Sequence, residues 1–121
     1  MTSLNSFQDF VASACEQLTA DERAGAVAYA ALREVPFASG TELQFPGAKI
    51  QVKSDSWLAF IDRAPMSNWG HPARYLLLDR ESGESRSFET RLPPFNSEGG
   101  LRWRVIYKAP SLPNAAVAEP Q

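Results

Sequence analysis

The apolar residues of this chain change period at Pro36, and no other feature restricts the fold as much. Upstream, Leu4, Phe7, Val11, Ala14 and Leu18 recur at steps of three and four, the spacing that lines one face of a helix. Downstream the alternation is by two. Residues 41–45, 48–53, 85–92 and 101–108 read as half-buried strands, with apolar and polar side chains on opposite sides. Residues 57–62 and 74–80 are apolar on both sides and read as central strands. Helices gathered ahead of a run of strands are the α+β pattern.

The expected architecture is therefore an N-terminal helical hairpin packed on one face of a five- to six-stranded, mainly antiparallel sheet. "TADE" at residues 19–22 has the form of a capping box and predicts a second helix from Ala20 to Arg33. The apolar side of that helix would carry Ala24, Val27, Ala28, Ala31 and Leu32. Pro46-Gly47 suits the centre of a type II turn, and "ESGE" at residues 81–84 marks another turn. Residues 1–108 form one domain in this scheme. Residues 109–121 are rich in Pro and Ala without any period, and are expected to be a disordered tail or the start of an interdomain linker.

Charge and composition exclude several functions. With 12 basic and 14 acidic residues, the chain lacks the basic stripe of a nucleic-acid binder. No apolar run is long enough to cross a membrane, and the N-terminus has neither the basic region nor the apolar core of a secretion signal. A cytoplasmic location is expected. Cys15 is the one cysteine, so the fold must hold without an internal disulfide, and one Cys with one His does not make a zinc site. No metal and no cofactor is expected, since neither a glycine-rich phosphate loop nor a metalloprotease helix motif is present.

Two stretches carry candidate functional residues. Residues 63–73, "RAPMSNWGHPA", join two central strands through a connection longer than the roughly two to five residues usual in hairpins. Either Trp69 and Met66 close one end of the core, or the loop is a recognition surface presenting Arg63, Asn68, Trp69, His71 and Arg74. The balance favours closure. In the second stretch, residues 93–100, Pro93-Pro94 ends strand pairing. Phe95 then either tucks under the sheet or joins a binding rim. Arg86, Arg91, Arg102 and Arg104, with Glu89 among them, suggest a mixed solvated face.

Three function classes follow. The leading one is a non-catalytic protein-interaction or accessory module, an adaptor, inhibitor or regulatory domain. Its partner is another protein or a downstream domain of the same chain, met through the 63–73 and 93–100 loops. The alternative is a small-molecule binding domain, with a pocket between sheet and helices lined by Trp57, Phe60, Tyr75 and Trp103. The third is a small hydrolase-like enzyme in which His71 acts as general base, oriented by Asp62 or Asp79. Cys15 is the available nucleophile for it, but its place beside the apolar helix face fits a buried thiol better.

Overall fold

Helix α1 (Phe7–Glu16) starts where the sequence offers a cap, the Ser6 hydroxyl accepting from the Asp9 amide. The structure, a computed structural model, describes residues 3–67, 70–95 and 100–117. Helix α2 (Ala20–Gly25) follows almost at once, and its capping box is complete. The Thr19 hydroxyl accepts from the Glu22 amide at 3.1 Å, and Glu22 Oε1 accepts from the Thr19 amide at 2.9 Å.

The helix expected over 20–33 stops early. It ends at Gly25, and the chain continues as strand β1 (Val27–Ala31), buried along its whole length. The reason is physical. A short apolar run that is covered on both faces has no polar stripe to reveal its period, and Ala fits helix and strand contexts alike.

Six more strands follow: β2 (Glu42–Phe45), β3 (Ala48–Gln51), β4 (Ser56–Asp62), β5 (Ala73–Asp79), β6 (Ser85–Thr90) and β7 (Trp103–Lys108). Five form an antiparallel sheet in the order β6-β5-β4-β1-β7. Strands β2 and β3 pair separately as a hairpin, turned at Pro46-Gly47 with Gly47 at φ +76°. The α+β architecture holds, with an additional strand in the middle of the sheet.

Each face of the sheet has its own core. On the helix face, Ala28, Ala30 and Ala59 are small, so α1 approaches closely and packs Phe10 and Ala14 with Leu4 and Leu18. Phe10 stacks on Trp57 at 5.5 Å, and Trp57 Nε1 donates to the Leu4 carbonyl at 2.9 Å. The opposite face carries Tyr29, Phe60, Tyr75 and Trp103, and the β2–β3 hairpin covers it with Leu43, Phe45, Ile50 and Val52. The helices therefore supply one of two cores, and Trp57 is separated by the sheet from the other three aromatics proposed to share a pocket with it.

Strands β6 and β7 sit at opposite edges, so the connection between them has to cross the sheet. Its residue Phe95 lies on the hairpin face and meets Tyr29, Phe60 and Trp103 edge-on at 4.9, 5.7 and 6.3 Å. Residues beyond Lys108, expected to trail away, are packed as far as Val117. The Ala109 amide donates to Ala26, a short 3-10 turn forms at Asn114–Ala116, and Ala116 is buried against the hairpin-face core.

The close seating of α1 on small residues predicts a sharp packing asymmetry. Ala59→Leu should lower the unfolding free energy by about 1–3 kcal/mol through overpacking. The same change at exposed Ala24 should leave the urea midpoint nearly unaltered.

Candidate functional site

The 63–73 loop leaves the sheet where the β4–β5 ladder ends, at the pair Asp62 and Ala73. Side chains alternate along β4, so Asp62 follows Leu58 and Phe60 on the hairpin face while Ile61 faces the helices. Asp62 is 1% exposed and His71 is 7% exposed. His71 Nε2 lies 2.7 Å from Asp62 Oδ1, which also accepts from the Ala64 amide at 3.1 Å. Burial pushes the Asp62 carboxyl above its ordinary range, and the hydrogen bonds from His71 and Ala64 offset only part of that rise.

The same loop is tied down at two other points. Gly70 and Arg91 exchange bonds, the Gly70 amide donating to the Arg91 carbonyl at 3.1 Å and Arg91 Nε donating to the Gly70 carbonyl at 2.9 Å. Gly70 stands at φ +103°, a conformation that side chains resist. At the loop's start, Arg63 turns toward the helix face. It donates to Glu22 Oε2 at 2.9 Å and to both oxygens of Glu89 at 2.6 and 3.2 Å.

Glu22 is the centre of this arrangement. Besides closing the capping box, it takes a two-point contact from Arg74, with Nε to Oε2 and Nη2 to Oε1 both at 2.8 Å. Arg74 also donates to the Ser87 hydroxyl at 2.6 Å and to the Gln17 carbonyl at 3.2 Å. Burial alone would raise the Glu22 carboxyl. The hydrogen bonds from Arg74, the Thr19 amide and Arg63 outweigh it and hold the group at about 2.

The structure thus sorts the candidate residues. It brings His71 and Asp62 together. It separates both from Asp79, which lies at the other end of β5, opposite Ser56. Asp79 organises the 81–84 turn, accepting from the Glu81 and Ser82 amides at 3.1 and 2.8 Å and from the Ser54 hydroxyl. Cys15 belongs to α1 on the helix side, with its thiol directed at the Ile106 carbonyl, so it does not face the His71–Asp62 pair. Burial raises the Cys15 thiol pKa, and nearby Arg23 only partly counters it.

Arg63 and Arg74 are occupied by Glu22, and Phe95 is a half-buried part of the hairpin-face core. Asn68 and Trp69 lie outside the described residues, as do residues 96–99 of the second loop. Arg86 and Arg91 lie on or just past β6, and Arg102 and Arg104 on or just before β7, so the four do not share one patch. Sequence reasoning assigned Glu22 to capping alone. Its partners stand 41 and 52 positions away, and no local signal announces such a pairing. No protein-family model, curated protein or solved structure matches the chain.

The Glu22 cluster predicts acid sensitivity with a definite sign. The folded carboxyl sits near 2 against an ordinary value of 4.5, so its contribution is complete above pH 4.5 and is lost as pH falls toward 2. That contribution amounts to about 3 kcal/mol. Asp62 works in the opposite direction, because its raised pKa disfavours the charged form in the fold and acid relieves the cost. Glu22→Gln should therefore destabilise by about 3–5 kcal/mol at pH 7. The gap to the parent should narrow steadily below pH 4.5 in urea titrations. A gap that is constant with pH would refute the assignment.

Proposed function

We propose that this domain is a non-catalytic interaction module that meets a protein partner at the loop end of the sheet. The supporting observation is a contrast within one loop. Among the described residues of the loop, Arg63, Gly70 and His71 are engaged internally, yet Met66 is 62% exposed. Leu92, beside the Arg91 that clamps Gly70, is 41% exposed. An apolar side chain on a tethered loop binds with little loss of conformational entropy. Methionine in particular adapts to irregular partner surfaces. On this reading the recognition residues are Met66, Arg91 and Leu92, while Arg63, His71, Arg74 and Phe95 hold the surface in shape.

A second reading has an observation of its own. Among the described residues, Asp62 Oδ2, the Tyr75 hydroxyl and Trp103 Nε1 are buried without a hydrogen-bond partner, all on the hairpin face. Unmet buried polar groups cost about 1–3 kcal/mol each, which favours a small polar ligand able to satisfy them. Such a ligand would shift the Trp103 indole proton resonance.

Met66→Asp and Leu92→Asp separate the two readings. Each should leave the melting temperature within a few degrees, since both positions are exposed. Each should reduce capture of the partner by immobilised domain at least tenfold. Undiminished capture by both variants would refute the loop-end surface.

A further inference from the structure

Strand β7 is an edge of the main sheet, and among the described residues it pairs only with β1. Its charge is unlike that of the chain as a whole. The protein has a net charge of -2, yet residues 101–117 contain Arg102, Arg104 and Lys108 and no acidic residue. Arg102 and Arg104 are exposed, and among the described residues neither enters a salt bridge. Arg63 and Arg74 behave differently, both being paired to Glu22.

As far as Val105, where a bulge interrupts the pairing with β1, the alternation of β7 sorts these side chains by face. Trp103 and Val105 belong to the hairpin face, and Val105 is only partly buried. Arg104, between them, points to the helix face, where its guanidinium lies 5.6 Å from the Phe7 ring centre. Arg102 stands two positions earlier, a separation of about 7 Å along an extended chain. A strand added to this edge therefore meets cations on one face and an apolar margin on the other.

We propose that the β7 edge is a docking site for an extended protein segment in which acidic and apolar residues alternate. Main-chain bonds to β7 provide the attachment, as in other strand-addition complexes. Carboxylates at every second position pair across the strands with Arg102 and Arg104, and the intervening apolar residues lie beside Val105. A second copy of this chain does not fit. Antiparallel pairing of two β7 edges about Trp103 would set Arg102 against Arg104, and like charges across a ladder are destabilising. A nucleic acid would match the charge but leaves the strand's main-chain groups and the apolar margin unused. The proposal is independent of the loop-end surface, because Arg102 and Arg104 lie toward the Ala31 end of β1 and the 63–73 loop leaves beside its Val27 end.

The test uses fluorescent acetyl-(Glu-Val)4-amide, with acetyl-(Lys-Val)4-amide and a single-stranded oligonucleotide as comparison probes. Backbone amide resonances of the domain are followed by nitrogen-15 NMR. The acidic peptide should shift amides within 102–108 and bind at least tenfold more tightly than the basic one. Arg102→Glu with Arg104→Glu should invert that preference while leaving the Met66-dependent capture intact. A proline in the peptide centre should abolish binding, because it removes a main-chain donor. The proposal is overturned if the shifts map to β6, if oligonucleotide alone binds, or if the charge-reversed variant retains the acidic preference.

Discussion

One carboxylate joins three parts of this domain. Glu22 is 3% exposed, and a buried carboxylate is tolerable only when fully paired. Its two oxygens receive the amide that begins α2, the guanidinium of Arg74 on β5, and that of Arg63 where the loop leaves β4. The helix start, the start of strand β5 and the root of the 63–73 loop therefore share a single charge. The outer contact, Arg63 with Glu89, is of a different kind. Glu89 is 67% exposed, and pairs in water contribute little. The buried contacts set the position of Arg63, and the exposed one completes its donors.

How much of this was legible from the residues depends on the range of each interaction. The Thr19–Glu22 box, the Pro46-Gly47 turn and the alternation of β2 and β3 are local, and the structure has them where local rules place them. By contrast, Phe10 joins the buried α1 face, and a bulge after Val105 turns Tyr107 to the helix face. Strand β1 was misread because its environment is what makes it a strand. Alanines on its helix face and Tyr29 on the other look like a helix until the neighbours on both sides are known. At the candidate site, the link between Asp62 and His71 spans nine positions and follows from their shared loop. The role of Glu22 and the crossing that buries Phe95 span most of the domain, and nothing near them in the chain points that way.

The two faces of the sheet also divide the chemistry. The helix face is closed by small residues, a stacked Phe10–Trp57 pair and the Glu22 cluster. Among the described residues, the buried polar groups there are matched to partners. Among the described residues, the hairpin face holds six aromatic rings in mutual contact, together with buried polar atoms that these residues do not satisfy.

The strand order carries a consequence for how the chain assembles. Strands β4, β5 and β6 form a meander whose contacts are short in sequence, so they can pair as soon as they meet. Strand β1 precedes them all, yet its two neighbours begin at Ser56 and Trp103. A wholly apolar strand is thus synthesised first and fully enclosed last, its second edge waiting for the end of the domain. Loop closure over that distance is the slow part of folding. Until β7 arrives, Val27–Ala31 has one open edge and no charge of its own to protect it. Strand β7 ends that exposure of β1 and moves the open edge to a margin that carries Arg104.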